Sequence, residues 1–173
     1  MMVNRIGAVL IIGASSAWGC LAAHRFTERC RLLRVWIWVL EIVKTEIYFQ
    51  ARLLPEVLQK VATLVNDREI GNLFRQLAAS VEYGAVVGWT DGWRELLVAA
   101  CWKSLKPAEK EVLQQLGLFL GSTDRQDQLA KLNTAKFNLE QLLLAATTEE
   151  RKQVGLYRYL GFAAGAMLVL WLG

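Results

Sequence analysis

The chain contains a single histidine, His24, the side chain that a serine or cysteine nucleophile would need as its base. Ser15 and Ser16 precede it in an apolar run. Nucleophile and base must come within hydrogen-bond reach, and nearness in sequence at the end of such a run reads as chance proximity. No glycine-rich phosphate cradle ends in Lys-Ser or Lys-Thr. The three cysteines, Cys20, Cys30 and Cys101, fit neither a zinc motif nor a disulfide framework. They read as small buried hydrophobes. Glu149 and Glu150 are adjacent, so on a helix they point in different directions and cannot face each other as acid and base. Glu109 and Glu111 fail in the same way. The sequence therefore predicts no enzyme, cofactor or metal.

These residues sit on helices. Phe26, Cys30, Leu33, Ile37 and Leu40 recur at spacings of three and four, and Val43 and Ile47 extend the stripe, which predicts a helix over 25–50. Pro55 opens a second helix, where its missing N–H costs nothing, and Leu58, Val61, Ala62 and Val65 form its apolar face. Asn66 with Glu69 has capping-box spacing for a third helix, lined by Ile70, Leu73, Phe74, Leu77 and Val81 and broken by Gly84 and Gly88. Thr90 or Asp91 starts a fourth, with Trp93, Leu96, Leu97, Ala100 and Cys101 inward. Pro107 starts a fifth. Gly117 within it costs up to about 1 kcal/mol relative to alanine, a sign of close packing. Thr123 with Gln126 caps the last helix, which begins near Asp124 and is free of proline and glycine until Gly155. No strand and no internal repeat are predicted. Among the seven tryptophans, Trp36 and Trp38 must point to different faces of one helix, one inward and one outward. Trp89, Trp93 and Trp102 fit either a partner surface or ordinary core packing.

The apolar excess lies at the two ends. Residues 6–23 form a run of about 18, near the lower limit for crossing a bilayer. A cleaved signal peptide competes with an uncleaved anchor, and the basic segment that follows favours the anchor under the positive-inside rule. A lipoprotein site at Cys20 is disfavoured by the bulk of Trp18. Residues 159–173 form a shorter run, bracketed by Tyr157, Tyr159 and Trp171 and containing the pair Gly161 and Gly165, a spacing that lets helices approach closely. Gly7 and Gly13 offer a small-residue face opposite. The expected organisation is an N-terminal transmembrane anchor at 1–24, a cytoplasmic helical domain at 25–153 and a C-terminal transmembrane segment at 154–173. The fold class is all-α, a bundle of about six helices whose long first and last members extend into the membrane segments and pair as an antiparallel stalk.

The net charge is +4, with both signs mixed and no basic block that would suit nucleic acid. Arg25, Arg29, Arg31 and Arg34 form the densest basic cluster. It fits attraction to anionic lipid headgroups, or simply a solvated helix face.

Several segments together resemble a known family. They are Thr27-Glu28-Arg29, Thr45-Glu46-Ile47-Tyr48, Leu54-Pro55-Glu56, the stretch from Glu111 to Gly117, and Leu120-Gly121-Ser122-Thr123-Asp124-Arg125 with Gln128. In this order, between two apolar ends, they resemble the stage III sporulation protein AB family of endospore-forming bacteria. The likeness covers the whole chain and is loosest over 81–105. It implies a soluble domain like the cytoplasmic domains of type II secretion platform proteins. It also implies a place in the mother-cell membrane facing the forespore, linking a cytoplasmic secretion-type ATPase to the other components of a secretion-like channel. Docking candidates on the matching segments are Glu46, Arg52, Glu56, Asp124, Arg125 and Gln128. Each also has an ordinary structural reading as a cap, an intrahelical pair or a bridge within the bundle. A generic membrane-tethered helical adaptor and an integral membrane enzyme relying on His24 are the competing functions.

Overall fold

The computed structural model describes residues 2–50, 54–82, 89–99, 102–120 and 125–172. Its elements are α1 (Met2–Gln50), α2 (Leu54–Leu64), α3 (Arg68–Glu82), α4 (Trp89–Ala99), α5 (Pro107–Phe119) and α6 (Arg125–Leu172). No strand occurs among the described residues. The all-α expectation and the continuity of the first and last helices through the apolar ends are both observed. The chain forms two compact units, Met1–Arg31 with Leu143–Gly173, and Leu32–Leu142.

In the first unit, α1 and α6 run antiparallel. Ser15, Gly19 and Ala23 recur every fourth residue and so share one face. A Cβ placed on Gly19 would lie 2.6 Å from the Tyr157 carbonyl oxygen and 3.1 Å from Gly161 Cα. One placed on Gly161 would lie 2.8 Å from the Ser15 carbonyl oxygen. The helices therefore touch backbone to backbone, which only small residues permit. Farther along, Phe26 and Tyr157 stack with centroids 5.7 Å apart. Arg29 donates to Glu149 Oε2 at 2.6 Å. The expected opposing glycines were Gly7 and Gly13, but neither would bring a Cβ within 4 Å of another group. Gly19 takes that role, because the antiparallel register brings it, and not the glycines nearer the N-terminus, opposite Gly161. Cys30 is buried as expected, whereas Cys20 is exposed, next to Gly19 but turned off the helix contact. Cys101 lies outside the described residues.

In the second unit the core forms where the apolar faces meet. Trp36 and Leu33 of α1, Val61 of α2, Ile70 and Phe74 of α3, Leu116 of α5 and Leu139 of α6 are almost fully buried. Trp36 lies at the centre of an aromatic cluster, 5.9 Å from Phe74, 6.2 Å from Trp93 and 5.3 Å from Trp102. Such pairs contribute about 0.5–1.5 kcal/mol each beyond area burial. Trp93 and Trp102 are thus core residues, and Trp38 is the outward member of its pair. Trp93 Nε1 donates to the Leu113 carbonyl at 2.9 Å. Gly117 makes this approach possible, since a Cβ there would lie 2.7 Å from Trp93 Cγ.

Local signals set the helix ends. Pro55 and Pro107 stand in the first turns of α2 and α5. Glu109 is buried and its Oε2 accepts from the Lys106 backbone N–H at 2.7 Å. The cap of α3 is one residue later than the spacing suggested: Asp67 Oδ1, not Asn66, accepts from Ile70 N–H at 3.0 Å. Asp67 is buried against the turn while Asn66 is exposed, so the residue already turned inward makes the bond. Gly84, Gly88 and the loop at 121–124, including Thr123, lie outside the described residues.

The expected membrane spans find no support in the helices. Among the described residues, no helix is long and apolar enough to cross a membrane.

Candidate partner-binding surface

Helix periodicity sends the consecutive residues Thr45-Glu46-Ile47-Tyr48 in different directions. Glu46 turns inward, 5% exposed, with Lys60 Nζ of α2 at 3.5 Å from its Oε1. Thr45 and Tyr48 turn outward. Thr45 Oγ1 donates to the Glu41 carbonyl one turn earlier at 2.8 Å. With Glu41, Lys44, Leu129 and Asn133 they line a hollow of about 270 Å³ between α1 and α6.

One wall of that hollow is an ion pair. Lys136 Nζ donates to Glu41 Oε2 at 2.7 Å, with Lys44 Nζ 3.8 Å from the other oxygen of Glu41 and Glu140 Oε1 3.9 Å from Lys136. The hydrogen bond from Lys136 is the largest effect and holds the Glu41 carboxyl below its ordinary pKa; burial opposes it, and the charges of Lys136 and Lys44 add smaller lowering effects. The bond to Glu41 likewise holds Lys136 above its ordinary value.

The six docking candidates are not gathered on one surface by the described residues. Glu46 and Gln128 are buried. Glu56 is exposed in the first turn of α2, where a negative charge suits the helix dipole. Arg125 begins α6, and Arg52 and Asp124 lie outside the described residues. The basic cluster also divides. Arg25 and Arg34 are exposed, Arg31 is bonded to Glu28 at 2.6 and 2.8 Å, and Arg29 is buried in its bond to Glu149. His24 is exposed. Among the described residues no three of His, Cys, Asp or Glu are grouped to hold a metal ion. The outward Thr45 and Tyr48 are the residues that sequence reasoning missed. Their signal was present, since they lie on the side of the helix away from the stripe of Trp36, Leu40 and Val43.

Fold and surface define an all-helical protein in which Glu46 and Arg29 of the signature segments tie helix to helix. Residues 4–173 match the family described as Stage III sporulation protein AB. The chain is 31% identical over 173 residues to Stage III sporulation protein AB of Bacillus subtilis (strain 168), covering 99% of each. It is also similar to a solved structure of Stage III sporulation protein AB (SpoIIIAB), with a TM-score of 0.63 and 26% identity, over 72% of this chain and 98% of that one. The chain belongs to the stage III sporulation protein AB family.

Proposed function

We propose that this protein is a membrane-tied scaffold of a sporulation channel. It sits in the mother-cell membrane facing the forespore, and its second unit, in the cytoplasm, links a secretion-type ATPase to the other channel components. Membership of the family over nearly the whole chain supports the sporulation role. The observation that carries the membrane role is the outer surface of the first unit. Trp18, Leu21, Phe162, Met167 and Trp171 are all exposed there, from 60% to 83%. Ser15, Gly19 and Gly161 are taken up in the close helix contact, and the paired helices present large apolar side chains outward. Such a surface suits lipid better than water. The second unit buries its own aromatic core and leaves Glu56, Thr45 and Tyr48 outward for partners.

A cysteine introduced at the exposed position Gln76, with Cys20, Cys30 and Cys101 replaced, tests this reading. In intact sporulating cells a membrane-impermeant thiol reagent is expected to leave it unlabelled until lysis, and the ATPase is expected to co-purify. Labelling of intact cells, or absence of the ATPase from the purified complex, removes the platform role.

A further inference from the structure

Outside the surfaces described above, α4 and α5 enclose a second hollow, of about 180 Å³, lined by Leu97, Val98, Trp102, Lys110, Leu113 and Gln114. Its floor is apolar: Leu97, Trp102 and Leu113 are at most 9% exposed. Its rim joins Val98, 66% exposed, to the exposed Lys110 and Gln114, and Leu118, one turn beyond Gln114, is 65% exposed. Lys110, Gln114 and Leu118 recur every fourth residue and form one ridge along α5. The Trp102 indole N–H, screened from solvent, meets no acceptor among the described residues.

Exposed lysines gather on the α5 side of the hollow, whereas α4 carries the exposed Asp91, Arg94 and Glu95. Lys103, Lys106 and Lys110 are all exposed. The carboxylate among them, Glu109, is fully buried in its bond to the Lys106 N–H. Glu111 lies about 100° around the helix from Lys110. The N-terminus of α5 adds its own positive partial charge. An apolar furrow between two helices, edged by cations, fits the helix-in-groove mode of recognition.

We propose that this furrow docks an amphipathic helix of a partner protein. Its apolar residues, spaced three and four apart, would sit over Leu97, Trp102 and Leu113, and its acidic flank would lie against Lys103, Lys106 and Lys110. On α5 the lining runs from Lys110 to Gln114 with the exposed Leu118 one turn on, a contact length of about 12 Å, or two turns. The inference identifies the partner by chemistry and does not depend on its being the ATPase.

The test is photo-crosslinking in the full-length chain within the cells that produce it, with p-benzoylphenylalanine in place of Val98 and, as control, in place of the exposed Gln115. The expected adduct at position 98 maps to one segment with net negative charge and apolar residues three and four apart. Combining Lys103→Glu and Lys110→Glu is expected to lower its yield about tenfold by like-charge repulsion, with the unfolding temperature and circular dichroism unchanged. No adduct above the Gln115 control overturns the proposal. So does an adduct to lipid, to a second copy of this chain or to a basic segment, or a yield indifferent to the lysine reversals. If the lysine reversals unfold the chain, lowering the yield with high salt in the otherwise native protein provides the same comparison. An acidic helix from a protein other than the ATPase supports the furrow and leaves the ATPase linkage to be decided by co-purification. An ATPase that co-purifies without an adduct at 98 removes the furrow alone.

Discussion

Gly19 and Gly161 stand so close that a Cβ on either would strike the backbone of the opposite helix, at 2.6 Å from the Tyr157 oxygen in one case and 2.8 Å from the Ser15 oxygen in the other. Neither obstacle is a flexible side chain that could move aside. Gly19→Ala gains up to about 1 kcal/mol of helix propensity and meets an overpacking cost of about 1–3 kcal/mol. A net fall in thermal stability of the purified full-length protein is expected, with the same sign for Gly161→Ala. Gly13→Ala, which meets nothing, is expected to hold or raise the unfolding temperature. Equal effects at Gly13 and Gly19 would show that the helices do not cross there.

The Trp93–Gly117 contact predicts a coupled pair. Gly117→Ala forces the indole off α5 and strains its hydrogen bond to the Leu113 carbonyl, so a loss of about 1–3 kcal/mol is expected by chemical denaturation. Trp93→Phe removes the bond and shrinks the ring. In the double variant the alanine then meets a smaller neighbour, and its cost is expected to fall by at least about 0.5 kcal/mol. Simple additivity of the two losses would count against the contact.

The Glu41–Lys136 bond makes a small part of stability depend on pH. Glu41 titrates below its ordinary 4.5, so its contribution is present above that value and is lost as pH falls through the lower folded value. Lys136 titrates above its ordinary 10.5, so its share is present below that value and is lost as pH rises through the higher folded one. Both side chains are partly exposed to solvent, 29% for Lys136 and 45% for Glu41, which limits the pair to about 0.2–1 kcal/mol. Glu41→Gln is expected to lower stability by that amount near neutral pH. As pH falls through the lowered folded value of Glu41 the difference is expected to shrink, because the native carboxyl then protonates as well. A difference that persists there would mean the glutamine disturbs packing instead.

Helix count, the continuity of α1 and α6, and most core positions were legible because a stripe such as Cys30, Leu33, Leu40 and Val43 is a local pattern that burial obeys, whereas Ile37 and Ile47 of that stripe are half-buried and Trp36 beside it is the buried one. That Trp36 and Trp38 face opposite ways followed from the same geometry, though not which of them is buried. Pairing was less legible. Gly7, Gly13 and Gly19 all suit a close crossing, and only the antiparallel register, set by contacts such as Arg29–Glu149, decides which of them meets Gly161. The cap of α3 was missed by one residue because Asn66 and Asp67 have the same chemistry, and the fold chooses the one turned toward Ile70 N–H. Of the docking candidates, sequence marked Glu46 as special without showing whether it faced inward. The inward face of α1 at that point is defined by α2, a segment brought against it by tertiary packing.

Glu46 and Lys60 give the sharpest separation of structural from docking roles. The Glu46 side chain is 6% exposed and that of Lys60 36%, so the cation can reach water while the carboxylate cannot. Lys60→Met takes a nearby cation from a buried charge, and buried charges tolerate that poorly. With the 3.5 Å separation and the partial exposure of Lys60, a loss of about 1–3 kcal/mol is expected, below the cost of breaking a fully buried pair. Glu46→Gln removes the charge itself and keeps the shape, so a smaller loss is expected. If Glu46 serves the fold, both variants shift the unfolding transition and, well below it, co-purify with their partners as the native chain does. If Glu46→Gln instead abolished co-purification at native stability, the α1–α2 junction would have to open during docking, and Glu46 would count as a partner contact.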